Sequence, residues 1–100
     1  MLAAAATFSY IRPVSTPFHS PVKRSITIAG HPTSISLEPI FWSALEQAAR
    51  GAKLPLSALV AQIDAERIAL TAPPNLASAI RVWLFAQALS HSSATQLEPV

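Results

Sequence analysis

A short run of alternating apolar and polar residues, TSISLE at residues 33–38, stops at Pro39. Alternation with a period of two is typical of a strand that buries one face. Pro39 disfavours helical geometry at the residue before it, although proline suits the first turn of a helix. The sequence therefore predicts that a strand passes directly into a helix at this proline.

A second alternating run, RSITIAG at residues 24–30, precedes the first. Ile26 and Ile28 alternate in it with Ser25 and Thr27, and the segment Gly30-His31-Pro32 separates the two runs. Such a segment permits either a hairpin or one long interrupted extended stretch. Both alternatives stay open at the level of the sequence.

The segment PIFWSALEQAARGA predicts a first helix over about residues 39–50, which Gly51 ends. The segment KLPLSALVAQIDAERIAL predicts a second helix that begins near Pro55 and ends at TAPPN, because prolines cannot continue it. Asn75 is the expected N-cap of a third helix. The predicted apolar faces are Phe41, Leu45, Ala48 and Ala52 with Trp42 and Ala49 at the side, then Leu56, Leu59, Val60, Ile63 and Leu70, then Leu76, Ile80, Trp83, Leu84 and Leu89.

One hundred residues, of which 51% are hydrophobic, suit a single small domain. We expect that domain to span residues 23–89, between disordered tails at 1–22 and 90–100 that are rich in proline, serine and threonine. The apolar start of the chain is too short to cross a bilayer, and no basic residues precede it. The absence of cysteine agrees with a cytoplasmic protein.

A strand without a partner leaves its backbone groups unpaired, and a hairpin alone is only marginally stable in water. A second copy of the chain is the simplest predicted partner, paired across a two-fold axis above the helices. Ile35 and Leu37 would then point into a shared core. Ser34, Ser36 and Glu38 would point outward.

The order strand, proline, helix, turn, helix resembles the ribbon-helix-helix superfamily of bacterial repressors. The segments KRSITIAGHPTSISLEPIFWSAL, LPLSALVAQIDAER and NLASAIRVWLFAQAL resemble more narrowly a family of short bacterial ribbon-helix-helix proteins, over residues 23–87. The resemblance implies a mainly α fold with a short β-ribbon, an intertwined homodimer and an extra C-terminal helix. It also implies a ribbon that reads the major groove of DNA.

The residues of the family can be carried over by position. Outward ribbon residues would contact bases, the start of the second helix would bind phosphate, and basic residues near both would hold the backbone. The predicted DNA-binding residues are Lys23, Arg24, Ser34, Ser36, Glu38, Lys53 and Ser57. The predicted dimer core is Ile35, Leu37, Phe41, Trp42, Leu45, Leu59, Val60 and Ile63.

Catalytic and metal chemistry have little support in the sequence. The three histidines are scattered, the two glycines do not form a phosphate loop, and Asp64 and Glu66 lie on different sides of a helix. We therefore predict no enzyme, no metal site and no cofactor. The segment from Arg12 to Lys53 carries a net charge of +3, and the remaining residues carry −1.

The predicted function is a cytoplasmic, DNA-binding transcriptional regulator of bacterial type that acts as a homodimer without contacting a membrane. One alternative is a protein-interaction or dimerisation module that retains the fold with weak or no DNA binding. Its expected contact is the third helix, where Trp83, Leu84 and Phe85 are consecutive. A DNA-binding antitoxin is a further alternative.

Overall fold

A computed structural model describes residues 16–97, and their side chains as far as residue 92. The predicted tails, 1–22 and 90–100, lie partly outside the described residues. Within these described residues the elements are two strands followed by three helices, which confirms the predicted class, mainly α with a short β-ribbon and an extra C-terminal helix. In chain order they are β1 (Val22–Ile28), β2 (His31–Leu37), α1 (Pro39–Gly51), α2 (Leu56–Ile68) and α3 (Leu76–Leu97).

The two strands pair with each other as an antiparallel hairpin within one chain. Ala29 and Gly30 form the connection, with φ of 51° and 86°. Positive φ at both central residues is the pattern of a type I′ turn, whose twist matches that of paired strands. The turn is therefore Ala29-Gly30, whereas His31 and Pro32 belong to β2. Of the two alternatives, a hairpin or one interrupted extended stretch, the structure has the hairpin. Pairing of the TSISLE strand with a second copy stays a prediction.

Pro32 is accommodated in β2 because of the register. Ile28 and His31 flank the two-residue turn and form the first hydrogen-bonded pair, so Thr27 and Pro32 form a non-hydrogen-bonded pair. The nitrogen of Pro32 therefore faces the outer edge of β2, where it removes no bond from the ladder. This edge consequently lacks one of the N–H donors that an added strand would need.

The inner face of the hairpin is buried against the helices of the same chain. Ile26, Ile28, Ile35 and Leu37 are each 8% exposed or less, and each such side chain contributes roughly 1.5–3 kcal/mol by leaving water. The helices supply the rest of the core: Trp42, Leu45, Ala49, Leu59, Val60, Ile63, Ile80 and Leu84.

The predicted dimer core is thus largely the core of a single chain. Ile35 and Leu37 were expected to point into a core shared with a second copy, but the chain's own helices cover both. Phe41 alone of the eight predicted residues is only partly buried.

Helix α1 begins as predicted at Pro39. The carbonyl of Glu38 accepts hydrogen bonds from the N–H groups of Phe41 at 2.9 Å and Trp42 at 3.1 Å. The buried face is centred on Trp42, Leu45 and Ala49, whereas Ala52 of the predicted face is exposed. Trp42 also ties α1 to β1, because its indole N–H donates to the carbonyl of Val22 at 2.8 Å.

A Schellman motif closes α1. The N–H of Leu54 donates to the carbonyl of Ala49 at 2.9 Å, and the N–H of Lys53 donates to that of Arg50 at 3.0 Å. Lys53 has a φ of 58° in this motif, a left-handed conformation in which glycine is usual. The backbone of Lys53 is therefore held at an energetic cost.

Helices α2 and α3 depart from the predicted faces at their C-terminal ends. Leu70 lies beyond the end of α2 at Ile68 and is exposed, and Leu89 of α3 is exposed too. Asn75 is confirmed as an N-cap, because its Oδ1 accepts a hydrogen bond from the N–H of Ser78 at 2.8 Å. Helix α3 continues past the predicted domain end at residue 89 to Leu97.

Candidate nucleic-acid interface

The outer face of the hairpin is small and polar. The register places Lys23 beside Ser36, Ser25 beside Ser34 and Thr27 beside Pro32 in cross-strand pairs. Alternation of side chains along a strand sends these residues to the face opposite the buried isoleucines. All are exposed except Ser36, which is half-buried. We call this set the hairpin face: Lys23, Ser25, Thr27, Pro32, Ser34 and Ser36.

The hairpin face offers four hydroxyl groups and one ammonium group. Each hydroxyl can donate one hydrogen bond and accept two, so it can bond to most base edges and to phosphate. Among the predicted site residues, Ser34, Ser36 and Lys23 lie together on this face. Ser25 and Thr27 were not predicted as site residues, and they double the number of hydroxyls.

Ser25 and Thr27 could be placed on this face only once the position of the turn was known. Their alternation with isoleucines was visible in the sequence, but the two strands share one face only if they pair in register. Alanine is an uncommon residue in a type I′ turn, so Ala29 did not mark the turn. Had the turn been placed at Ala29-Gly30, the resulting register would have put Ser25 and Thr27 on the same face as Ser34 and Ser36.

Arg24 lies on the opposite side of β1 from Lys23. Its Nη1 donates to Oε2 of Glu46 at 3.0 Å, and its guanidinium carbon is 4.4 Å from the centroid of the Trp42 ring. The register pairs Arg24 with the buried Ile35. Arg24 therefore binds α1, and of the two predicted basic residues ahead of the ribbon only Lys23 belongs to the hairpin face.

Glu38 was expected to share a face with Ser34 and Ser36, but its carboxylate is directed to α3. Nε of Arg81 donates to Oε1 at 2.9 Å, and Nη2 donates to Oε2 at 3.3 Å. These hydrogen bonds hold the pKa of the Glu38 carboxyl below its ordinary value, against a smaller opposing effect of desolvation. The guanidinium carbon of Arg81 also lies 5.8 Å from the Phe41 ring centroid. Glu38 thus joins β2, α1 and α3.

The connection between α1 and α2 brings together Lys53 and Ser57. Helix α2 has no side-chain cap, because its N-cap residue is Pro55. The carbonyl of Pro55 accepts hydrogen bonds from Ala58 and Leu59, at 3.0 and 3.2 Å. The N–H groups of Leu56 and Ser57 therefore precede the first bonded turn, at the positive end of the helix dipole. Lys53 and Ser57 are both exposed.

Unpaired charge on the described part of the chain is mostly positive. Three ion pairs join Arg24 to Glu46, Arg67 to Asp64 and Arg81 to Glu38. Within residues 16–92 the charged residues outside these pairs are Lys23, Arg50, Lys53 and Glu66. Two of the three cations, Arg50 and Lys53, lie at the end of α1, and the third lies on the hairpin face.

Other kinds of site are not evident in residues 16–97. No group of three or more histidine, aspartate or glutamate side chains in the described region is arranged to hold a metal ion. None of the helices described has both the length and the apolar character needed to cross a membrane.

Comparison with known proteins agrees with this geometry. The profile of the ribbon-helix-helix domain matches residues 21–88, which include both strands, α1, α2 and the first half of α3. No curated protein and no solved structure matches the chain significantly. The profile covers more than half of the sequence, and its boundaries agree with the resemblance found in the residues themselves. The chain belongs to the ribbon-helix-helix domain family.

Proposed function

We propose that the protein is a DNA-binding transcriptional regulator that places its hairpin face in the major groove. Ribbon-helix-helix domains typically bind DNA as regulators and dimerise. The observation that carries the proposal is the hairpin face itself, an exposed set of hydroxyls and one lysine on a two-stranded ribbon. The major groove is wide enough to admit a two-stranded ribbon.

One chain supplies both strands of this ribbon. The paired serines, Ser25 and Ser34, would be central in the groove, with Lys23 at the open end of the hairpin. A hydroxyl group can both accept and donate hydrogen bonds, so it can bind several different bases and discriminates only weakly among them. We therefore expect specificity from the number of hydroxyl contacts and from DNA shape more than from any one side chain.

Phosphate contacts would come from the connection between α1 and α2. The free N–H groups at Leu56 and Ser57 form a site for one phosphate, and the Lys53 ammonium group adds charge beside it. Glu38 and Arg24 take no part in the proposed contact, since Arg81 and Glu46 respectively bind them. The proposed partner is double-stranded DNA, and the proposed location is the cytoplasm.

The test begins with selection of bound DNA from a random pool, followed by titration of the selected duplex at several salt concentrations. Ser25→Glu and Ser34→Glu place negative charge on the hairpin face, and we expect each to weaken binding by at least about tenfold. Ser43→Glu is the matched control, because Ser43 is exposed on α1. It should bind within about twofold of the unchanged protein.

Two results would overturn the proposal. One is a folded protein that binds no duplex even at about 50 mM salt, where contacts to phosphate are strong. The other is an equal loss of binding in Ser34→Glu and Ser43→Glu, which would show that the hairpin face does not contact the DNA. Circular dichroism of each variant establishes that the fold is retained.

A protein-interaction module is the second candidate function. The observation in its favour is the absence of arginine, asparagine and glutamine, the usual base-reading residues, from the hairpin face. Under this alternative the folded protein binds no duplex and recovers a stable protein partner in a pull-down.

A further inference from the structure

We propose that a cleft between the second half of α2 and the first half of α3 binds a small organic cation, a molecule with an apolar body and one ammonium group. The residues that line this interhelical cleft include Ile63, Glu66, Leu70, Pro74, Val82 and Trp83. None of them belongs to the hairpin face or to the proposed phosphate site. The proposal therefore goes beyond the proposed function and does not rest on it.

The interhelical cleft has the size and the lining of a small-molecule site. Its volume is about 450 Å³, and sites for drug-sized ligands occupy roughly 300–1,000 Å³ with a mostly apolar lining. Among the lining residues Ile63 is buried, whereas Leu70 and Val82 are 55% and 68% exposed. A ligand in the cleft would cover these exposed apolar side chains, and their removal from water favours binding.

Arg67 ties the α2 side of the cleft to the connection that leads into α3. Its Nε and Nη2 donate to Oδ1 of Asp64 at 3.0 and 2.8 Å, and its Nη1 donates to the carbonyl of Pro74 at 3.0 Å. The proline ring also restricts the backbone of the connection at that point. The cleft is therefore formed before a ligand binds, so little ordering of the protein opposes binding.

Glu66 gives the interhelical cleft its net charge. The guanidinium of Arg67 also lines the cleft, but the ion pair with Asp64 offsets its charge. Glu66 is exposed and belongs to none of the three ion pairs in the described part of the chain. Its carboxylate beside an apolar cleft favours a cation over an anion, because it attracts the opposite charge and repels its own.

Trp83 adds an aromatic surface that favours the same kind of ligand. Its side chain is partly exposed and lines the cleft. An indole ring stacks against a flat apolar body, and its face also attracts an ammonium group. A neutral apolar molecule would match the lining but would leave Glu66 without a partner. An apolar body with one ammonium group matches both.

Titration with three compounds of different charge tests the proposal. Phenylbutylamine, phenylbutanol and phenylbutyrate share an apolar body and are a cation, a neutral molecule and an anion at pH 7. We expect the amine to bind with a dissociation constant on the order of 100 μM. The alcohol should bind about threefold more weakly and the carboxylate about tenfold more weakly, because an exposed charge contributes modestly.

The two tryptophans report where each compound binds. NMR spectra resolve their indole N–H signals, and Trp83→Phe identifies which signal belongs to the cleft. Trp42 is 5% exposed, and its indole N–H donates to the carbonyl of Val22. The amine should therefore shift the Trp83 signal and leave the Trp42 signal nearly unchanged.

Substitution of Glu66 tests the source of the charge selection. Glu66→Gln should make the amine bind no better than the alcohol, and Glu66→Lys should reverse the order of the amine and the carboxylate. Ser43→Lys is the matched control, because it changes the net charge by the same amount as Glu66→Gln at an exposed position on α1. Its affinity for the amine should stay within about twofold, since salt screens distant exposed charges. Circular dichroism establishes that each variant is folded.

Any of four results would overturn the proposal. The first is an amine that does not shift the Trp83 signal even at millimolar concentration. The second is equal affinity for the three compounds, which would make the cleft an apolar surface without charge selection. The third is tighter binding of the carboxylate to the unchanged protein, which would make Arg67 the selecting group. The fourth is an equal loss of amine binding in Glu66→Gln and Ser43→Lys. The titrations contain no DNA, so each of these results leaves the proposed function untouched.

Discussion

Ala29 occupies a left-handed conformation in the hairpin turn, with a φ of 51°. Asparagine before glycine is the preferred pair in such a turn, because asparagine tolerates this conformation better than alanine. We predict that Ala29→Asn raises the free energy of unfolding by about 0.5–1 kcal/mol. Urea denaturation followed by circular dichroism measures the change.

The same substitution elsewhere supplies the control for Ala29→Asn. Ala65 is exposed in the middle of α2, where asparagine is a poorer helix former than alanine. Ala65→Asn should therefore lower the free energy of unfolding by roughly 0.5 kcal/mol. Two shifts of the same sign would mean that the turn does not hold Ala29 in a strained conformation.

Lys53 is a second residue in the left-handed conformation. We predict that replacing it raises the stability of the fold but weakens DNA binding. Lys53→Gly should raise the free energy of unfolding by about 0.5 kcal/mol, because glycine has no side chain to oppose a φ of 58°. It should also weaken DNA binding, and the slope of log K against log salt should become shallower by about 0.9 for one lost phosphate contact.

Denaturation and salt titration of Lys53→Gly separate these two effects. If the variant is stabilised but its salt slope is unchanged, Lys53 does not contact the DNA. A destabilised variant would contradict its assignment as a strained C-terminal residue of the Schellman motif. Lys53→Asn is a useful companion, since asparagine tolerates the left-handed conformation and also lacks the charge.

The Glu38 carboxylate should make stability depend on pH. Its pKa is lowered in the folded protein, chiefly by hydrogen bonds from Arg81, so the ionised form is favoured by folding. The contribution to stability is fully present above the unfolded pKa near 4.5, and it is lost as pH falls through the lowered folded pKa. Glu38→Gln should therefore be less stable than the unchanged protein at pH 7, with a smaller difference near pH 3.

Measurement of urea midpoints for Glu38→Gln and the unchanged protein at both pH values tests this dependence. Arg81→Met removes the other partner and should likewise reduce the loss of stability between pH 5 and pH 3. A difference between Glu38→Gln and the unchanged protein that is the same at pH 7 and pH 3 would contradict the role of the ion pair.

At the scale of single elements, the start of α3 depends on Asn75. Its Oδ1 accepts the N–H of Ser78 at 2.8 Å, and helix α3 places Ile80 and Leu84 in the core. We predict that Asn75→Ala lowers the free energy of unfolding by about 1 kcal/mol, whereas Asn75→Asp retains most of it. Thermal or urea denaturation distinguishes them, and equal losses in both variants would contradict a capping role.

The elements themselves were largely predictable from local signals. Pro39 marked the passage from strand to helix, Asn75 marked a helix start, and the alternation around Ile35 marked its buried side. These features depend on neighbouring residues, which the sequence displays directly. The tight turn was missed because Ala29 is not a residue that the type I′ conformation selects.

Contacts between elements were not predictable in the same way. Glu38 and Arg81 are 43 positions apart, and the sequence does not say which of several opposite charges will meet. The Glu38 side chain was consequently assigned to the hairpin face, although α3 binds it. Leu70 and Leu89 continue the apolar spacing of their helices but lie beyond the surface that the core covers.

For the whole molecule, one chain closes its own hydrophobic core. In the part of the chain that the structure describes, twelve apolar residues from the two strands and the three helices are buried without a second copy. We therefore predict that the thermal midpoint is independent of protein concentration below about 1 μM, because one chain can fold without a partner. Thermal scans at 0.1 and 1 μM test this prediction.

An intertwined dimer would behave differently in these scans. Its folding and association would be one process, so the midpoint would rise with concentration over the whole range. That result for the unchanged protein would contradict a core closed by one chain. The resemblance to the ribbon-helix-helix family predicted the order of the elements correctly, but it left open whether the two strand-like runs form a hairpin, as they do in the structure.

The Ala29-Gly30 turn also has a kinetic consequence. Only two residues separate β1 from β2, so their pairing is among the most local contacts that a sheet can make. Hairpins of this kind form on the order of microseconds, and their rate does not depend on protein concentration. A ribbon built from two chains must instead wait for a bimolecular encounter. The strands proposed to enter DNA can therefore assemble as soon as one chain folds, even when a cell contains very few copies.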